Sequence, residues 1–244
     1  MIAVYLKEIN AFFSSLTGYL VLSVFLLLTG LFVWIFPDTS VLNYGFATLE
    51  GLFMTAPWVF MFLIPAITMR SFSEELQSGT YELLSTRPLT ETAIIAGKYM
   101  AALTLILFAL LPTLIYFFSV YRLGSPPGNI DTGGSLGSYL GLLLLGAAFA
   151  AIGIFSSAVT RNQIVAFLLA VFLCFFFFMA FDFLSRLDIF YAKTDDLIET
   201  LGIYAHYNSV SRGVVDTRDL LYFFSLDIFF LWLTYLVLQS RKWT

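Results

Sequence analysis

IVAFLLAVFLCFFFFMAF, residues 164–181, runs for 18 positions without a charge. Wound as an α-helix it rises about 27 Å, close to the roughly 30 Å hydrocarbon core of a bilayer. Reading outward from it, the same signature recurs. Apolar stretches at 17–36, 52–69, 95–121, 136–159, 164–184 and 219–240 make six predicted spans, separated by polar or turn-forming residues. A transmembrane β-barrel would instead alternate apolar and polar residues over segments of about ten. The whole chain agrees: of 244 residues 60% are hydrophobic and 11% charged, with 28 Phe. Soluble domains carry about 25% charge and need a polar skin, so a water-soluble globule is excluded, and disorder with it. The expected fold class is an all-α polytopic membrane protein: an N-terminal interfacial amphipathic helix plus six transmembrane helices, within one domain spanning 1–244. A net charge of −4 offers no basic footprint for nucleic acid. The single cysteine, Cys174, sits inside an apolar run and forms neither a disulfide framework nor a metal site.

Six spans put both termini on one side. Lys7, Arg70, Arg87, Lys98, Arg161, Arg241 and Lys242 fall there, seven of the twelve Lys and Arg residues. By the positive-inside rule that side is cytoplasmic, so both termini are expected inside. The first span reads as a retained anchor, because its long apolar run ends in Trp34, Ile35, Phe36 and Pro37 without a cleavage pattern. Ahead of it, residues 1–15 place Ile2, Tyr5, Leu6, Ile9, Phe12 and Phe13 at helical spacing, with Lys7, Asn10 and Ser14 opposite. This pattern predicts a helix lying in the interface, since Lys7 and Glu8 would be costly inside the bilayer.

The segment RSFSEELQSGTYELLSTRPLTETAIIAGK, residues 70–98, is longer and more polar than a connector needs. Ser73 is expected to cap a short helix beginning at Glu74 and Glu75, and Gly79 to end it. Thr80 is expected to cap a second turn carrying Glu82, Leu83 and Leu84. Pro88 closes that turn and Thr90 caps the helix entering the third span. Acids and apolar knobs on short capped helices suit a docking surface for a soluble partner. On the opposite side, residues 185–218 form a long polar segment. His206, the only histidine, lacks a Cys or His partner and reads as a polar loop residue.

No nucleotide-binding G-x-x-x-x-G-K-[ST], H-E-x-x-H or G-x-S-x-G motif occurs. Neighbouring acids such as Glu74/Glu75 do not face each other on a helix and make no catalytic dyad. Asp227, in the outer half of the sixth span, is the intramembrane polar candidate, for a pathway or for a structural hydrogen bond. Asp182 reads as interfacial. Pro57, Pro65 and Pro112 interrupt spans two and three, and Gly137 with Gly141 opens a small-residue stripe suited to close helix contact in span four.

Glu74, Glu75, Gly79, Thr80, Glu82, Leu83, Leu84 and Pro88 together resemble the acid pair, G-T-x-E-x-L-L and proline of type-2 ABC transporter permeases. T-R-N-Q at 160–163, R-G-V-V-D at 212–216 and D-L-L-Y-F at 219–223 are similar to that family too, so the likeness covers essentially the full chain. More narrowly, it resembles the permeases of gliding-motility transporters. The resemblance implies a non-catalytic membrane subunit of an exporter-type complex, with residues 70–94 as the region that docks on a separate ATP-binding subunit. ATP and Mg would be held by that partner, with no cofactor or metal on this chain. A second membrane subunit, possible pairing with a second copy, and the surrounding bilayer complete the implied partners. An alternative is a scaffold that transmits ATPase-driven motion without moving a solute.

Overall fold

The computed structural model describes residues 1–85, 89–186, 195 and 198–241. Those residues contain no strand and hold six helices long and apolar enough to cross a membrane. Helix α1 (Ile2–Phe13) precedes α2 (Leu16–Trp34). A short turn, α3 (Val41–Tyr44), leads to α4 (Glu50–Thr68), then to the paired short helices α5 (Ser73–Ser78) and α6 (Thr80–Ser85). The third span is built from α7 (Glu91–Leu110) and α8 (Leu114–Leu123), joined by a 3₁₀ turn at Leu111–Thr113. The fourth is α9 (Thr132–Val159). The fifth is α10 (Gln163–Phe175), a π-helical turn at Phe176–Ala180 and α11 (Phe181–Ser185). After α12 (Ile203–Ser211), α13 (Thr217–Ser240) is the sixth.

Five of the spans begin on a side chain able to satisfy the orphan amides of the first turn. Ser15, Thr90, Asp131, Asn162 and Asp216 accept from Gly18 N, Ala93 N, Gly134 N, Ile164 N and Arg218 N respectively. The Arg218 amide bond also holds the exposed Asp216 carboxyl below its ordinary range. Such caps fix where each helix starts, as expected for Thr90.

Helix α9 is the hub. Of its most apolar window 83% is buried, against 22% for α2 and α10. It packs on α4, α7, α10, α12 and α13. Small residues permit this. A Cβ placed on Gly153 would collide with Thr68 Oγ1 of α4, and one on Gly146 would lie 2.9 Å from Ile106 Cγ2 of α7. In a bilayer no water-driven force gathers helices, so close backbone approach and packing carry the association. The Gly137/Gly141 stripe finds its partner within the chain: a Cβ on Gly137 would lie 2.6 Å from Gly213 Cα, just past α12.

The prolines are accommodated locally. At Pro112 the chain switches to a 3₁₀ turn, and Tyr139 of α9 donates to Thr113 O at 3.0 Å. That bond supports a backbone carbonyl where the regular helix ladder is interrupted. The aromatic run of span five divides between surface and interior. Phe175 and Phe176 are exposed, while Phe178 in the π-turn is buried against Trp58, Phe149, Tyr204 and Tyr207.

Candidate functional site

The candidate residues lie at the end of the bundle where α1, α5, α6, the turn between α9 and α10, and Arg241 meet. The α5–α6 pair turns at Gly79, whose φ of 72° is open to glycine and strained for other residues. Thr80 Oγ1 lies 2.9 Å from Ser78 Oγ across that turn. Glu74, Thr80 and Glu82 are exposed on the outer side. Leu83 and Leu84 belong to α6, but their side chains, and all of Pro88, lie outside the described residues.

Glu75 faces the other way. It is 7% exposed, and its Oε1 accepts from Lys98 Nζ at 3.0 Å and from Lys7 Nζ at 2.5 Å. Lys98, 2% exposed, also donates to Glu8 Oε1 at 2.7 Å and to Ser71 O at 2.5 Å, and lies over the Phe72 ring at 4.9 Å. Four charges from α1, α5 and α7 thus form one alternating cluster. Burial pulls the Lys7 ammonium down, but the hydrogen bond and charge of Glu75, with the charge of Glu8, hold it above its usual range. A buried ammonium with three oxygen acceptors is satisfied; removing any carboxylate would leave it short. The cluster also explains how Lys7 and Glu8 of α1 are tolerated: each is paired with an opposite charge from another helix, Lys7 with Glu75 and Glu8 with Lys98.

The second attachment comes from α9. Ser157 Oγ accepts from Phe72 N at 2.9 Å and Ser73 N at 3.0 Å, and donates to Met69 O at 2.9 Å. This corrects the expected cap. Ser73 lies inside α5, which starts after Phe72, and its hydroxyl donates back to Met69 O, so it cannot serve the first amides. The hydroxyl that does so belongs to another span, 84 residues away. Phe72 is fully buried and meets Tyr81 edge-on at 6.2 Å, tying α5 to α6. Burial, with the charges of Glu91 and Glu75, pushes the Tyr81 hydroxyl up to about 12, so it stays a neutral phenol. At the C-terminal end, Arg241 donates to Ala158 O at 3.1 Å and Val159 O at 2.7 Å, holding the last turn of α9.

A family model described as ABC-2 family transporter protein matches residues 2–239. The chain belongs to this family. Its members are the membrane components of ABC transporters, and membership implies an ATP-binding partner. Comparison with curated proteins returns no match.

The remaining candidates are not at this end. Asp227, the eleventh of the 24 residues of α13, is 6% exposed and interacts with the hydroxyl of Tyr99 on α7. It joins two spans in mid-bundle, away from the α5–α6 surface. Asp182 is buried and pairs with Arg186 at 3.0 Å. His206 is a correction: it lies on α12, not in a loop. Its Nδ1 is 2.7 Å from Asp219 Oδ1 and its Nε2 is 2.9 Å from Thr200 O, with the ring stacked on Tyr222 at 3.9 Å. Its partner is an acid 13 residues on, at the start of the last span, which Cys and His spacing does not reveal. Among the described residues no group of three His, Cys, Asp or Glu is placed to hold a metal ion.

Proposed function

We propose that this chain is the permease subunit of an ATP-driven exporter in a bacterial inner membrane, with its termini and the α5–α6 surface in the cytoplasm. The observation that carries this reading is the double anchoring of α5. Its inner side is bonded to α1 and α7 through Glu75 and Lys98, and its start is bonded to α9 through Ser157. Its outer side presents Glu74, with Glu82 exposed on α6. A partner pushing on that outer side would move α1 and two spans, α7 and α9, together. In this reading Glu74 and Glu82 meet basic or polar groups of the ATPase, Leu83 and Leu84 fill an apolar pocket there, and Glu75 transmits the displacement inward. ATP and Mg reside on the partner.

The likeness to the gliding-motility permeases suggests a more specific place. The chain would be GldF-like, working with a GldA-like ATPase and a GldG-like membrane subunit, or paired with a second copy of itself, in gliding motility and type 9 secretion. A second reading, a scaffold that transmits motion without moving solute, draws on α9. The same helix that anchors α5 through Ser157 anchors α12 at its other end, where Ser138 Oγ donates to Ser211 O at 2.6 Å.

The test is co-purification of the neighbouring ATPase with Glu74→Lys and Glu82→Lys variants. Recovery is expected to fall about tenfold, as when charge-assisted contacts are reversed, while membrane insertion is unchanged. Full recovery of the ATPase by the double variant would remove the docking role of both acids. Transport by reconstituted vesicles separates the exporter from the scaffold.

A further inference from the structure

A cavity of about 530 Å³ opens between α1, α2, the end of α4 and α7, beside the ion cluster. Its size lies within the range of small-molecule sites. One end is apolar, walled by Leu20, Val21, Ile67 and Leu105. Leu20 is 57% exposed, so this end is continuous with the lipid-facing surface of α2. The other end is polar, with Lys7, Glu8, Arg70, Glu74, Glu75 and Lys98.

The charges at the polar end fall into two sets. Lys7, Lys98, Glu8 and the Oε1 atom of Glu75 neutralise one another at 2.5 to 3.6 Å. Arg70 and Glu74 stand outside that cluster. Both are exposed, and the hydrogen bond of Arg70 to Thr17 Oγ1 is long, at 3.3 Å. Glu75 Oε2 is enclosed and has no hydrogen-bond partner. An enclosed carboxylate oxygen without a donor is unfavourable, and it leaves the charge of Glu75 only partly compensated beside the cavity.

These features select a ligand. A cation alone would meet Arg70, and an anion alone would meet Glu74 and Glu75. A head group carrying both a phosphate and an N–H-bearing ammonium satisfies both sides, and an acyl chain fits the apolar end. We propose that this cavity binds an aminophospholipid of the phosphatidylethanolamine class, its phosphate at Arg70, its ammonium at exposed Glu74 beside the incompletely compensated Glu75 carboxylate, and one acyl chain along Leu20, Val21 and Ile67. The α1 helix, expected to lie in the interface, closes the site at head-group depth. The lipid thereby touches both α1 and α5 and shares Glu74 with the docking surface, so the composition of the adjacent leaflet bears on how the α5–α6 surface meets its partner. Phosphatidylcholine shares the phosphate but has no N–H to donate, and phosphatidylglycerol has hydroxyls but no positive charge.

The experiment uses the full chain in detergent micelles containing equal amounts of phosphatidylethanolamine, phosphatidylcholine and phosphatidylglycerol with identical acyl chains, read by native mass spectrometry. The ethanolamine adduct should exceed either other adduct about tenfold, the scale of one charge-assisted contact. Arg70→Gln should lose the adduct, and Glu74→Gln should lose the preference over phosphatidylcholine; both residues are exposed, so the fold is retained. Ala66→Trp, which fills the cavity, should abolish the adduct, with circular dichroism confirming the helices. Equal adducts of all three lipids, a dominant phosphatidylglycerol adduct, or variants indistinguishable from the parent would overturn the proposal. So would displacement by an equal concentration of glycerophosphoethanolamine, which would make the ligand a soluble head group. The readout needs no ATPase, so it stands or falls separately from the transporter assignment.

Discussion

Lys98 shows how much one side chain settles at the candidate site. In sequence it is one of seven positive charges counted toward orientation. Folded, its ammonium is almost sealed from solvent and reaches Glu8, Glu75 and Ser71 O. Its partners come from positions 90, 23 and 27 residues away. Replacing it by Met leaves two carboxylates crowded and a carbonyl unserved. Breaking a buried pair from one side costs about 3–5 kcal/mol, and Lys7, still on Glu75, places this variant near the lower figure. Denaturant unfolding in detergent should therefore show Lys98→Met destabilised by about 3 kcal/mol. Adding Glu75→Gln should restore part of the loss, because the unpaired charge is gone. A double variant as unstable as the sum of the singles would mean that the two groups do not interact.

Among the helices, the contacts that fix the bundle are those where side chains are missing. Gly153 lets α9 reach Thr68 of α4 so closely that even a methyl group collides with the hydroxyl. Gly153→Ala should cost about 1–3 kcal/mol, the range for overpacking, and Gly153→Leu more. A thermal melt that leaves both unchanged would show that α4 and α9 can separate freely. This element scale is also where the sequence speaks most clearly. Apolar length alone placed all six spans, since the bilayer sets how long an apolar helix must be. Local chemistry marked the Thr90 cap and the turn at Gly79. Three features were not legible. The π-turn at Phe176–Ala180 has no marker within an unbroken apolar run. The cap from Ser157 and the pairing of His206 with Asp219 arise only when distant helices pack, and neither residue differs in type from ordinary interior or loop positions. The candidate site was half readable for the same reason: composition identified the acids of α5 and α6, but only packing divides inward Glu75 from outward Glu74.

At the scale of the molecule, α9 connects two faces. Its 28 residues rise about 42 Å, long enough to span the bilayer with a turn to spare at each side. Near its end Ser157 holds the start of α5, and near its beginning Gly137 and Ser138 hold α12 and Gly213. Helix α12 is fixed further by Tyr207, which donates to Phe53 O of α4 at 2.6 Å, and by His206 on Asp219 of α13. A displacement entering at α5 therefore reaches α12 through a rigid helix, and either α12 travels with α9 or the joint at Ser138 slides. Joining Gly133→Cys to Arg212→Cys, exposed positions on either side of this joint, with a short thiol-specific cross-linker distinguishes these. The only other thiol, Cys174, is fully buried, so the background is clean. If the joint slides during turnover, the cross-linked complex should keep its ATPase partner but lose most of its ATP hydrolysis, and a cleavable linker should restore it on reduction. If α12 and α9 move as one body, the cross-link should leave hydrolysis untouched. The polar link across the joint named above is the single hydrogen bond from Ser138 to Ser211 O, which a sliding joint can exchange at small cost, so loss of hydrolysis is the expected outcome.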